Sequence, residues 1–221
     1  MLNRRIILSY IACLLGFLSL ASAVLTDSDK RFQIDITISQ AVQSISLPGF
    51  ETGMRLVSFP GNHALADLVW GCLIFALLLW KRRKVAGYAF ALSAGGGTLL
   101  NMIVKELVAR PRPTSDLVQQ LVHETSLSFP SGHVMHYVTC YGFLMMIFYE
   151  EPLPRWLKTS LIALCGTMIL LVGTSRVYLG AHWPSDVTAG YFLGGLWLGL
   201  SIWLYHQWKA KSNEEGRRVS G

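Results

Sequence analysis

Charge is scarce in this chain. Only 14% of its 221 residues are Asp, Glu, Lys or Arg, against 52% hydrophobic, whereas a soluble domain of similar size carries about 25% charge. With a mean hydropathy of +0.42, the deficit argues against a water-soluble globule and for a bilayer protein. Cysteine is sparse too. Cys13, Cys72, Cys140 and Cys165 all lie inside apolar runs, with no C-x-x-C and no Cys/His spacing suited to zinc. They are expected to pack rather than ligate a metal. The net charge of +6 could suggest nucleic acid, but the basic residues gather in short clusters beside apolar runs. That is the pattern that orients a membrane protein, so no nucleic-acid partner is expected. The length bounds a single domain over residues 1–221.

What the chain does contain is long apolar runs. A bilayer core takes about 20 helical residues. Six stretches fit, roughly 6–25, 64–80, 85–107, 134–149, 159–175 and 186–206. The expected fold class is therefore all-α: a six-transmembrane-helix bundle with short interfacial helices in the outer loops. Arg4, Arg5, the apolar run and Ala21-Ser22-Ala23 could instead form a cleaved signal peptide. The run is long for that purpose, and the topology after residue 26 is the same in both cases.

Lys and Arg set the orientation. With the N-terminus inside, 12 of the 19 fall on the inner side: Arg4, Arg5, Lys81, Arg82, Arg83, Lys84, Arg155, Lys158, Lys209, Lys211, Arg217 and Arg218. Both termini are expected in the cytoplasm of a cell (inner) membrane protein, with the other ends extracytoplasmic. Trp80, Trp156, Trp203 and Trp208 near inner ends and Trp183 near an outer end fit an aromatic belt.

Two outer loops are long. Within 26–63, Phe32, Ile34, Ile36 and Ile38 alternate like a strand, while Ile34, Ile38, Ala41 and Ile45 fit one helical face. A lone strand would leave its backbone unpaired, so interfacial helix is preferred. Residues 114–125, TSDLVQQLVHET, place Leu117, Val118, Leu121 and Val122 on one face, as a short amphipathic helix would. Gly95-Gly96-Gly97, Gly190/Gly194 and Gly195/Gly199 read as close-packing positions between helices.

Ionisable residues collect at three outer span ends. In KELVARPRP, 105–113, Lys105 and Arg112 are seven residues apart, and Pro111 and Pro113 should end the helix. In FPSGH, 129–133, Ser131 and Gly132 open a helix whose N–H groups suit an oxyanion, followed by His133. His136 is one turn on, but no third ligand accompanies the pair, so a metal is not expected. In SRVYLGAHWPSD, 175–186, His182 and Asp186 share a face if the helix starts near Trp183-Pro184, and Asp186 would then orient the imidazole. Each stretch alone has a plainer explanation: snorkelling cations, an interfacial histidine, a surface His–Asp pair. Together they provide three cations, two histidines, a carboxylate and a helix N-terminus on one side of the membrane.

Lys105 to Arg112-Pro113 matches K-x6-R-P. Pro130-Ser131-Gly132-His133 matches P-S-G-H. Ser175-Arg176, His182 and Asp186 match S-R-x5-H-x3-D. In these three motifs, in order, the chain resembles the type-2 phosphatidic acid phosphatase family, which includes vanadium haloperoxidases and glucose-6-phosphatase. The resemblance implies a metal-independent phosphatase without cofactor. His182 would attack phosphorus and form a phosphohistidine, and Asp186 would orient it. Lys105, Arg112, Arg176, Ser131 and Gly132 would hold the phosphoryl oxygens. His133 would protonate the leaving oxygen and then activate water.

A site at headgroup depth suits a lipid that keeps its tails in the bilayer. The expected substrates are undecaprenyl diphosphate, phosphatidylglycerophosphate or phosphatidic acid, with no obligatory protein partner. A phosphatase for soluble phosphomonoesters, or a non-enzymatic lipid binder or transporter of the same fold, are the alternatives.

Overall fold

A computed structural model describes residues 4–61, 71–72, 74–76 and 83–220, with side chains to residue 215. All regular structure among the described residues is helical. In chain order the helices are α1 (Arg4–Thr26), α2 (Gln33–Gln43), α3 (Phe50–Ser58), α4 (Lys84–Ala91), α5 (Gly97–Val108), α6 (Gly132–Glu150), α7 (Arg155–Tyr178) and α8 (Pro184–Ser220). A single 3₁₀ turn, Phe59–Gly61, follows α3, and a π-helical turn, Leu92–Gly96, joins α4 to α5.

Four described segments are long and apolar enough to cross a membrane: Arg4–Thr26, Lys84–Val108, Arg155–Tyr178 and Pro184–Glu215. They coincide with four of the predicted spans. The predicted span at 134–149 is the helix α6, which does not reach that apolarity. The reason is its position: it packs mainly against α7 and α8, and Val134, Tyr137, Thr139, Phe143 and Ile147 are buried, so little of it meets lipid. The predicted span at 64–80 lies outside the described residues except for 71–72 and 74–76.

The bundle is turned outward in polarity. Leu8, Leu15, Leu18, Leu99, Leu107 and Leu170 are exposed, while Arg110, Arg176 and Asp186 are fully buried. Water would penalise that arrangement, and lipid favours it. A π turn loosens the regular hydrogen-bond ladder, and Trp197 of α8 uses the carbonyls there, its Nε1 donating to Ser93 O at 3.1 Å. Gly96 permits the approach, since a Cβ there would lie 2.3 Å from the indole. The close-packing expectation fails at Gly95 and Gly195, which have nothing within 4 Å of a Cβ position.

The described part of the segment after α1 forms helices, as preferred over a strand. In α2, Ile34 and Ile38 point outward while Asp35 and Ser39 are buried. The helix α3 lies over the bundle, with Ser175 Oγ donating to Met54 O at 2.8 Å and Tyr137 donating to Val57 O at 2.6 Å.

Residues 114–125 do not form the predicted amphipathic helix. One turn closes on Thr114 O, and the backbone then bonds elsewhere. Leu121 N donates to Leu179 O at 3.0 Å, Arg55 donates to Leu121 O at 2.9 Å, and Gln43 bonds both N–H and C=O of Gln119. Tertiary partners displace the helical ones. Trp183 also departs from expectation. It is fully buried rather than interfacial, and its indole N–H donates to Pro111 O at 3.3 Å. Cys140 and Cys165 pack as expected, but Cys72 is exposed.

Candidate active site

Lys105 occupies the last turn of α5. The helix stops at Val108, where Ala109 takes a left-handed conformation (φ 48°). The two following prolines keep the chain from continuing as helix. Arg112 is thereby placed over the loop ahead of α6. It donates to Ser126 O at 2.5 Å, Ser126 Oγ at 2.8 Å and Ala181 O at 2.7 Å. Lys105 Nζ donates to Leu127 O.

The start of α6 is tied to α8 through Ser131 N, which donates to Asp186 O at 3.0 Å. The Ser131 hydroxyl makes no cap to the helix it precedes. Its Oγ is buried with no hydrogen-bond partner among the described residues. A Cβ at Gly132 would sit 3.1 Å from Asn101 Oδ1, so glycine keeps the helix terminus open beside the asparagine.

His182 is delivered by a tight reversal after α7. Gly180 has φ +68°, and a Cβ there would lie 2.0 Å from Gln119 O, so only glycine passes. The N–H groups of Ala181 and His182 fold back onto Arg176 O at 3.0 and 3.3 Å. The helix α8 starts at Pro184, as expected, and sets His182 Nδ1 3.6 Å from Asp186 Oδ2. That is an electrostatic contact, too long for a good hydrogen bond. Ser128 fills the space. Its hydroxyl donates to Asp186 Oδ2 at 2.5 Å and lies 3.4 Å from His182 Nδ1.

The other ring nitrogen, Nε2, is 3.2 Å from Arg112 Nη1. Guanidinium has only donors, so Nε2 carries the lone pair and Nδ1 the proton. Burial, followed by the charges of Arg112, Arg176 and Lys105, holds the His182 pKa well below its ordinary value of 6.5. The ring is neutral and Nε2 unprotonated.

These groups share one cleft of about 290 Å³. Lys105, Arg112, Gly132, His133 and His182 all line it, with Asn101, Ser126 and Glu124. A larger groove of about 630 Å³ between α1 and α8, lined by residues such as Ile6, Tyr10 and Trp203, carries no charged side chain. The structure thus brings five of the eight predicted residues to one wall. Ser131 and Asp186 sit immediately behind it. Arg176 is also behind it, fully buried, with Nη1 donating to Ser58 Oγ at 2.6 Å and Nη2 to Glu124 Oε1 at 2.5 Å.

Four residues in and around the site were not anticipated. Glu124 bridges the two arginines, its Oε2 lying 3.7 Å from Arg112 Nη2. Ser126 and Ser128 belong to the same loop, just beyond the stretch 114–125 that the periodic pattern misread as helix. Arg110 is fully buried and pairs with Asp186 at 2.6 Å and with Asp35 at 2.8 Å. A signal for it exists in the sequence: KELVARPRP carries three cations, one more than the motif uses.

With this geometry, a match to a family model is informative. Residues 86–210 match the model of the PAP2 superfamily. Phosphatidylglycerophosphatase B of Bacillus subtilis is 33% identical over 186 residues, covering 83% of this chain and 88% of that protein. The undecaprenyl-diphosphatase of Sulfolobus acidocaldarius is 30% identical over 139 residues, 62% of this chain and 63% of that one. The crystal structure of the Bacillus subtilis transmembrane PAP2-type phosphatidylglycerolphosphate phosphatase superposes with a TM-score of 0.77 at 32% identity, covering 90% of this chain and 96% of that one. The chain belongs to the PAP2 superfamily and is a membrane phosphatase.

Proposed function

We propose that the chain removes the terminal phosphate from a lipid phosphate or diphosphate through a phosphohistidine intermediate, on the extracytoplasmic face of a six-span, single-domain membrane protein with both termini cytoplasmic. The observation that carries this reading is the cleft in which the unprotonated Nε2 of His182 and the imidazole of His133 meet Lys105 and Arg112.

In the first step Nε2 attacks phosphorus, a P–N bond forms, and the bond to the lipid oxygen breaks. That oxygen takes a proton from His133, which enters the step as imidazolium paired with the substrate dianion. In the second step His133 takes a proton from water, whose oxygen attacks phosphorus. The P–N bond then breaks, releasing inorganic phosphate and neutral His182. Phosphoryl transfer asks chiefly for positioning and charge neutralisation, which Lys105 and Arg112 supply at the cleft wall and Arg176 reinforces with its charge from behind it. The buried Ser131 hydroxyl and the Gly132 N–H complete the cradle. Three cations neutralise the dianion, so the reaction needs no metal or other cofactor.

Lipid is favoured over a soluble ester by where the cleft opens. Met102 lines it and is 58% exposed on the same α5 surface as Leu99 and Ile103, so headgroup pocket and lipid-facing helix are continuous. The relatives named for phosphatidylglycerophosphate and undecaprenyl diphosphate support those two substrates, with phosphatidic acid a third of the same class.

The test is phosphate release by purified protein in detergent, comparing these three lipids with p-nitrophenyl phosphate, with and without EDTA. A lipid is expected to be turned over fastest, with EDTA without effect and an acid-labile phosphoenzyme trapped in the wild type but not in His182→Ala. Preference for the soluble ester, or a chelator loss restored by Mg²⁺, would overturn the reading.

A further inference from the structure

Asp35 lies outside the part of the chain that matches the family model, which begins at residue 86. It is nevertheless buried, at 2% exposure, in a helix whose apolar side chains Ile34 and Ile38 face outward. Burying a carboxylate is costly unless it is paired and hydrogen-bonded, and Asp35 is fully provided for. Its Oδ2 accepts from Arg110 Nη2 at 2.8 Å and from Ser185 Oγ at 2.5 Å. Its Oδ1 accepts from Ser185 N at 2.9 Å. Ser185 is the second residue of α8, so Asp35 caps that helix from another element, satisfying an N–H that α8 cannot satisfy itself.

Arg110 is the link to the chemistry. It is fully buried, lies 5.0 Å from the Phe32 ring centroid, and donates through Nε to Lys30 O at 2.8 Å. Its Nη1 donates to Asp186 Oδ1 at 2.6 Å. One guanidinium therefore serves two carboxylates.

We propose that Asp35 is a positioning residue of the phosphatase reaction: by sharing Arg110 with Asp186 it holds Asp186 in place and leaves that carboxylate charged toward His182. Without Asp35 the whole charge of Arg110 falls on Asp186. The Arg110 fork is then free to engage both Asp186 oxygens, drawing Oδ2 away from Ser128 and His182.

The electrostatic consequence has a definite sign. His182 faces Asp186 from α8, Ser128 and Arg112 from the loop, Lys105 from α5, Arg176 from α7 and His133 from α6. Glu124 is engaged by the two arginines. Asp186 is thus the anion that supports positive charge on the ring, both when it is protonated and when it is phosphorylated. Weakening it disfavours the imidazolium, so the pH at which His182 protonates falls. It also disfavours the phosphohistidine, so turnover falls.

This inference rests on the phosphohistidine reading, and the experiment keeps the two apart. The kcat and KM of wild type, Asp35→Asn, Asp35→Glu and Gln43→Ala are measured from pH 4 to 9 on full-length protein in detergent, with trapping of the phosphoenzyme. Gln43 ties the same helix to Gln119 and Tyr178 and touches none of the buried charges, so its loss tests helix docking alone.

For Asp35→Asn, kcat is expected to fall about tenfold with KM within about twofold, and the acidic limb of kcat/KM to move about half a unit or more to lower pH. For Gln43→Ala the limb stays in place. Wild-type behaviour of Asp35→Asn, or a fall in kcat with an unmoved limb, would overturn the proposal. Should Asp35→Asn not fold, Asp35→Glu decides it, because the retained charge is expected to keep the limb at its wild-type position, and a displaced limb refutes the role. Failure of the underlying reading shows separately, as a wild type that forms no phosphoenzyme.

Discussion

Arg112 donates to Nε2 of His182 across 3.2 Å, and this contact fixes which ring nitrogen keeps the lone pair. The same guanidinium that is proposed to hold the phosphoryl group leaves Nε2, the proposed nucleophile, without a proton. A phosphate dianion is a stronger acceptor than neutral imidazole, so in the proposed mechanism substrate would draw Arg112 to itself and release the lone pair for attack.

The pH dependence follows from the depressed His182 pKa. The neutral ring persists below pH 6.5, so the acidic limb of kcat/KM owed to this group lies below 6.5. Between its folded value and 6.5 the unfolded chain binds more protons. The group's linkage therefore makes stability rise with pH through that window, complete above 6.5 and lost as pH falls below it. A kcat/KM profile and thermal unfolding in detergent from pH 4 to 8 check both signs.

Ser128→Ala removes the hydroxyl between Asp186 and His182. Asp186 loses one of its buried donors, and its orientation relative to the ring loosens. A fall in kcat of about tenfold is expected, with KM nearly unchanged, from a lost hydrogen bond of roughly 1.5 kcal/mol to a charged group. Steady-state kinetics on one lipid substrate measure it.

Glu124 occupies the arginines that a phosphate would need. Glu124→Gln removes that internal competitor, so inorganic phosphate should inhibit at a concentration about three to ten times lower than in the wild type. The melting temperature should drop, because Arg176 loses its carboxylate partner. Product inhibition and a melting curve on the same preparation read the two effects, which run in opposite directions.

Gly180→Ala meets both a left-handed backbone and Gln119 O at 2.0 Å. The substitution should destabilise the protein by about 2–4 kcal/mol and displace the turn that presents His182. Thermal unfolding together with kcat at a temperature where the variant remains folded separates the two losses.

The legible part of the molecule was its periodic part. Four spans stood out because twenty consecutive apolar residues need no tertiary information, and the end of α5 before Pro111 and the start of α8 at Pro184 follow from proline chemistry. The candidate site was legible because Lys105, Arg112, His133, His182 and Asp186 occur at spacings shared with a family. Residues 114–125 were misread because apolar spacing cannot say whether the backbone will bond to itself or to Gln43, Arg55 and Leu179. Trp183 was misread for a related reason: its place near a span end suggested the interface, whereas the loop at Pro111 encloses it.

The sequence by itself determined the membrane setting, the helical class and the chemical groups brought to the ends of the helices, since hydropathy, helix breakers and residue type act locally. Only the tertiary structure decided which charge meets which: Glu124 across two arginines, Ser128 between Asp186 and His182, and Asp35 sharing Arg110 with Asp186. Ionic pairings of this kind join residues up to 76 positions apart (Arg110 to Asp186), and their energy is set by burial and geometry, which exist only once the helices have packed.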